Sequence, residues 1–191
     1  MRGAAVAGVG LLTGWGEGAA ALPADARAAA RGRRVVTLAR PALAGERFRR
    51  ATRECLLGVA AVEALLRDTG LARATLRGSD TALLYVTAGG YGASNVEFAA
   101  GETGTGGALH FPYTAPSAVP GEVAIEFGLT GAYSILIGGA TATLDARALA
   151  RGAAARRDGG VCPPGSVGRG DVAPAVRGVR GARGARPGAG R

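Results

Sequence analysis

The apolar positions fall into short runs with different periods. Ala4–Val9 (AAVAGV) is continuous and ends among Gly8, Gly10 and Gly14, which predicts a buried strand entering a glycine turn. Residues 16–49 are Ala/Arg-rich, and within them Val35–Leu38 (VVTL) predicts a short strand, the rest being loop with a helical turn. Arg50–Arg67 places Cys55, Leu56, Val59, Ala60, Val62, Ala64 and Leu66 on one broad helical face, with Gly70 as the stop. Thr81–Thr87 (TALLYVT) is a continuous β-rich run, hence a buried strand, broken by Gly89-Gly90-Tyr91-Gly92. Ser94 or Asn95 then caps a short helix to about Ala100. Pro116 or Pro120 starts another helix through Glu122–Gly128, with Val123, Ile125 and Phe127 available for packing. Tyr133–Ile137 (YSILI) is a further buried strand, Gly138-Gly139 turns sharply, and Thr141–Ala150 resumes as a helix. Strands alternating with helices in this order predict an α/β fold with a mostly parallel sheet.

The chemistry of such a fold belongs at the strand–turn–helix elbow, where one side chain is lifted toward the positive end of the next helix. That turn reads Gly138-Gly139-Ala140-Thr141, with neither Cys nor Ser at its tip. Thr141 and Thr143 carry hydroxyls, but as first helical residues they are placed to bond backbone groups. Cys55 lies in the apolar set of its helix and reads as a buried structural thiol. Gly101–Gly107 (GETGTGG) looks like a phosphate loop, yet it lacks the Lys and a strand directly before it.

Composition removes other chemistries. The 191 residues contain no Lys, so all 23 basic residues are Arg, which excludes the P-loop, Schiff bases and a Ser-Lys dyad. One His and two Cys exclude a zinc site of the usual four Cys and His ligands, and no metal or cofactor is expected. The two Cys make no disulfide framework, so a reducing cytoplasm is expected. No apolar run reaches the roughly 20 residues that span a bilayer. Arg2 before the first apolar run and Ala19–Ala21 after it are signal-peptide-like, but the run is short and glycine-rich. Gly8, Gly10 and Gly14 space as GxGxxxG and miss the dinucleotide fingerprint.

The net charge of +9 is uneven. Residues 151–191 hold nine Arg against Asp158 and Asp171, whereas residues 1–150 hold fourteen Arg against twelve acids. The stretch 151–191 has no Leu, Ile, Phe, Tyr, Trp or Met and is expected to be a disordered Arg/Gly/Ala/Pro-rich tail following a domain over 1–150. An Arg-Gly arm of this kind can bind nucleic acid, though no aromatic is interleaved for stacking. The same composition also arises when a GC-rich gene is read out of frame.

Four stretches in order resemble the amino-terminal half of the β-ketoacyl synthases, the condensing enzymes of fatty-acid and polyketide synthesis. Ala5–Gly14 (AVAGVGLLTG) is similar to the family's opening strand and glycine turn, and Glu54–Leu71 (ECLLGVAAVEALLRDTGL) to its first long helix. Leu83–Gly92 (LLYVTAGGYG) is similar to the following strand and turn, and Pro116–Ala150 to the helix, Gly-Leu-x-Gly turn and elbow. The resemblance covers residues 4–150 and implies a thiolase-like half-fold. It puts the family's nucleophilic Cys nine residues after Gly131, which is Ala140. No catalytic residue is therefore expected. The family's two His come from its carboxy-terminal half; His110, upstream of the elbow, matches neither and reads as a structural or surface residue.

The resemblance implies a synthase-like protein without condensing activity of its own. Partners implied are a synthase subunit, joined through the edge strand Tyr133–Ile137, and acyl carrier protein. Leu144, Ala148 and Leu149 on the elbow helix would lack the second sheet that covers this helix in the family. Two alternatives remain open: a truncated or frame-shifted fragment, and nucleic-acid binding through the Arg-rich tail.

Overall fold

The computed structural model describes residues 6–89, 92–100, 111–139 and 141–157. Its elements are β1 (Leu12–Thr13), β2 (Gly16–Glu17), α1 (Ala26–Ala30), α2 (Arg53–Thr69), β3 (Leu83–Thr87), α3 (Gly92–Ala99), α4 (Ala118–Phe127), β4 (Tyr133–Ile137) and α5 (Ala142–Arg157). The main sheet pairs β3 with β4 in parallel, from Leu83 beside Tyr133 to Thr87 beside Ile137. β1 and β2 form a small antiparallel hairpin. The architecture is α/β, as expected.

α2 forms where its apolar spacing requires and is closed at both ends. The Thr52 hydroxyl accepts a hydrogen bond from the Cys55 amide at 3.4 Å, and Gly70 ends the helix in the left-handed conformation at φ 65°. Its apolar face is buried as the sequence predicts, with Leu65 added. α2 packs against α4 at Gly58, where an added Cβ would lie 2.8 Å from Val119 Cγ1 and 3.2 Å from Val123 Cγ2. Between them and β3 lies the core, made by Phe48, Cys55, Leu56, Val59, Leu83, Tyr85, Val123 and Phe127 among others. A rim of ion pairs ties the same elements together. Arg47 bonds Glu122 (2.7 Å) and Glu126 (3.0 Å), and Arg73 bonds Glu63 (3.1 Å) and Glu126. The Arg73 guanidinium also lies over the Phe127 ring, 4.7 Å from its centroid.

Several local expectations are corrected by what surrounds each segment. Within Ala4–Val9, residues 6–9 form no strand, and Val6 and Val9 are exposed. The segment lies along α2 instead. The Val9 amide donates to Asp68 Oδ2 at 3.0 Å, and an added Cβ at Gly10 would meet the Ala61 carbonyl at 2.3 Å. Val35–Leu38 is also unpaired, with Val35 exposed, and is held by Arg53 donating to the Leu38 carbonyl. A strand needs a partner strand for its backbone groups, and neither segment pairs with one among the described residues.

α3 begins at Gly92, so Ser94 and Asn95 lie inside the helix and not at its cap; Ser94 is buried. In α4, Val119, Val123 and Phe127 recur every four residues and are buried, whereas Ile125 stands on the opposite face and is 69% exposed. β4 was expected to be a buried strand; Ile135 packs on the core, but Tyr133 and Ile137 at its ends are exposed. α5 continues to Arg157, into the stretch expected to be tail, because RGAAARR is rich in strong helix formers. Residues 158–191 lie outside the described residues.

Candidate functional site

The Gly-Leu-x-Gly turn sets the register of everything after it. Gly128 closes α4 at φ 66°, a left-handed conformation that favours glycine. The Gly78 amide donates to the Gly128 carbonyl at 2.8 Å, and the Thr130 amide donates to the Gly78 carbonyl at 3.0 Å. Gly131 then passes the end of the segment entering β3 so closely that an added Cβ would lie 2.2 Å from the Thr81 carbonyl oxygen. From this point β4 runs beside β3, and the Gly138 amide donates to the Thr87 carbonyl at 3.1 Å, one step past the paired strands.

The chain turns at Gly138 and Gly139 and enters α5. The Ala142 amide donates to the Gly139 carbonyl (2.9 Å), and the Thr141 carbonyl accepts from Leu144 (2.8 Å) and Asp145 (3.0 Å). Ala142 is buried against the turn, and α5 packs beside β3 and β4. The elbow is thus a strand–glycine–helix turn, as the sequence predicts. Ala140, between Gly139 and Thr141, lies outside the described residues, as do His110 and the Gly101–Gly107 loop. The outward face of α5 carries exposed Leu144, Ala148 and Leu149.

Around the elbow the described residues offer hydroxyls and one carboxylate: Thr87, Thr141, Thr143 and Asp145. Asp145 Oδ2 is buried and has no hydrogen-bond partner among the described residues. Sequence reading passed over this residue; an acid in the first turn of the elbow helix is the signal that marks it. No group of three or more His, Cys, Asp or Glu residues able to hold a metal occurs among the described residues. No helix among them is long and apolar enough to cross a membrane.

Cys55 is remote from nucleophilic chemistry. It is 1% exposed, and burial pushes its thiol from 9.0 up to about 11, against the lowering effect of the Thr52 hydrogen bond. Below pH 9 the thiol is neutral in both folded and unfolded chains. Above pH 9 the unfolded chain ionises first, so stability falls until the buried thiol also ionises near 11. Urea unfolding is expected to show a loss of about 2 kcal/mol between pH 9 and 11, and Cys55→Ala to remove most of that slope. An unchanged slope in Cys55→Ala would assign it to other groups, Tyr85 first, whose hydroxyl is also raised by burial.

Away from the elbow, a groove of about 380 Å³ opens between Arg50, Tyr113, Ser117, Glu122 and Ile125. None of the elbow residues lines it.

A parallel strand pair, a glycine elbow and a covering helix define an α/β protein with a strand–turn–helix elbow at the strand ends. Comparison with known families names it further. The family described as "Beta-ketoacyl synthase, N-terminal domain" matches residues 26–157. The chain belongs to this family, and its fold is the thiolase-like half-fold. The match ends where α5 ends, and it begins after the segment that resembles the opening strand. No curated protein and no solved structure matches the chain.

Proposed function

We propose that this chain is a synthase-like subunit of fatty-acid or polyketide assembly that does not condense acyl units itself and pairs with an active synthase. The residue that carries this reading is Ala140: counted nine residues from Gly131, as the resemblance implies, the family's nucleophile position would hold a methyl group. Forming an acyl-enzyme requires a thiolate to attack the thioester carbonyl and expel the donor thiol, and Ala has no such group. Cys55 cannot substitute, being buried and held neutral. The substrate class is then an acyl group handled by the partner, delivered on acyl carrier protein.

Two surface features support a partner. β4 is at the edge of a two-stranded sheet among the described residues, with Tyr133 58% and Ile137 46% exposed. Leu144 is 62% exposed on the elbow helix. Pairing through β4 would cover the first of these and extend the sheet across two subunits.

The test is co-expression of the chain with a condensing synthase, followed by affinity capture. The wild-type chain is expected to retain the synthase. Tyr133→Lys with Ile137→Lys is expected to lower the retained synthase at least tenfold, because two charges would be buried at the edge. Retention by neither protein, or equal retention by both, counts against the reading.

A further inference from the structure

α4 carries two stripes of side chains, and the core uses one of them. Val119, Val123 and Phe127 pack inward, whereas Ser117, Gly121 and Ile125 recur at the same spacing on the outward side and line the groove. Ile125 is 69% exposed, and an added Cβ at Gly121 would have nothing within 4 Å. The absent side chain leaves a dip in the helix surface at the groove. Glycine in a helix interior is unfavourable relative to alanine, so the open space at 121 is kept against helix propensity.

Charge in the groove is unbalanced by one guanidinium. Glu122 lines it but is bonded to Arg47 at 2.7 Å, and the same Arg47 bonds Glu126 at 3.0 Å. Arg50 also lines the groove and has no ion pair among the described residues. Arg50 lies close enough to Tyr113 to act on its phenol. Burial raises the Tyr113 hydroxyl above its ordinary value and Glu122 adds to this, while Arg47 and Arg50 work against it. Ser117 is exposed, and its side chain makes no capping hydrogen bond to α4.

We infer that this groove binds a small aromatic monocarboxylate, with the carboxylate held by Arg50 and the ring lying over Gly121 between Tyr113 and Ile125. A guanidinium fork matches a carboxylate through two parallel hydrogen bonds, and the Ser117 hydroxyl offers a further donor. One guanidinium balances one negative charge, and a second charge on the ligand would face the Glu122 carboxylate, which disfavours a phosphate dianion. A flat ring suits the Tyr113 wall, because offset and edge contacts between rings add to the gain from buried area. The groove, at about 380 Å³, is at the small end of the roughly 300–1,000 Å³ range of ligand clefts, which fits a single-ring molecule. None of the elbow residues lines it, so the inference stands whether or not the proposed synthase pairing does.

The test is saturation-transfer NMR of the full chain titrated with benzoate. The wild-type chain is expected to bind benzoate with a Kd of about 1 mM or tighter. Benzyl alcohol, which has the ring without the charge, should bind about tenfold more weakly or worse, and inorganic phosphate should not displace benzoate. Arg50→Gln is expected to weaken benzoate binding about tenfold or more. Arg34→Gln removes the same charge from an exposed residue outside the groove and should change it less than twofold. Gly121→Leu should fill the groove and abolish binding, while urea denaturation shows the fold retained, since leucine is the better helix former. No saturable binding by the wild-type chain at about 10 mM benzoate would overturn the inference. Equal losses in Arg50→Gln and Arg34→Gln would assign binding to net charge and overturn it, as would displacement by phosphate or full binding by a folded Gly121→Leu chain. A wild-type dimer in sedimentation that Gly121→Leu converts to monomer would give the groove to a second copy of the chain and also overturn it. If Gly121→Leu fails to fold, the comparison of Arg50→Gln with Arg34→Gln decides alone.

Discussion

Replacing Ala140 by Cys is expected to create a reactive thiol where the wild-type chain has none. Residue 140 stands two positions before Ala142, the first residue of α5 (Ala142–Arg157), and a thiolate is favoured near the positive end of a helix. A thiol there should have a pKa below the free value of about 8.5, and its alkylation at pH 7 should exceed that of free cysteine at least tenfold. The measurement is the rate of iodoacetamide labelling against pH, in a Cys162→Ser background so that only Cys55 and the new thiol remain. Cys55 should stay unlabelled while the chain is folded, since it is 1% exposed. Given a small acyl thioester, Ala140→Cys should gain the mass of one acyl group as the thiolate forms the new bond and the donor thiol leaves. The wild-type chain should gain nothing. A new thiol with an ordinary pKa would mean that α5 is not directed at residue 140, and acylation of the wild-type chain would defeat the non-condensing reading.

The second large effect concerns the glycine that sets the strand register. Gly131→Ala is expected to destabilise the chain by about 3 kcal/mol or more, because the added Cβ would stand 2.2 Å from a carbonyl oxygen of the adjoining segment. Backbone cannot yield as a flexible side chain does, so β4 must shift away from β3, and the Gly138–Thr87 hydrogen bond beyond it should be lost. Gly121→Ala provides the contrast. Gly121 lies inside α4 with nothing within 4 Å of an added Cβ, so the substitution should stabilise by about 1 kcal/mol through helix propensity. Urea denaturation of the two variants checks both signs. Comparable stabilities would show that the turn at Gly131 is not a close approach.

The same two positions show what was legible in the sequence. The Gly-Leu-x-Gly turn stood out as a motif, but its two glycines act differently. Gly128 supplies a left-handed helix end, a local matter, whereas Gly131 yields space to a segment fifty residues earlier in the chain. α2 was readable nearly to its ends because its caps, spacing and stop are all local. Ile125 was misplaced because a run of apolar residues at every second position looks like packing until the helix turns it outward.

The order of helices and strands from α2 to α5, the glycine elbow, the identity of residue 140 and the family were therefore determined by the sequence itself. Helix periodicity, turn residues and motif spacing are satisfied within a few residues of chain and need no knowledge of neighbours. Only the tertiary structure decided that residues 6–9 and Val35–Leu38 lie unpaired, and that β4 is an edge with exposed ends. It also decided which arginines are engaged and which face water. A strand, a buried face or an ion pair is completed by groups remote in sequence, and their arrival is fixed by packing rather than by the residues that await them.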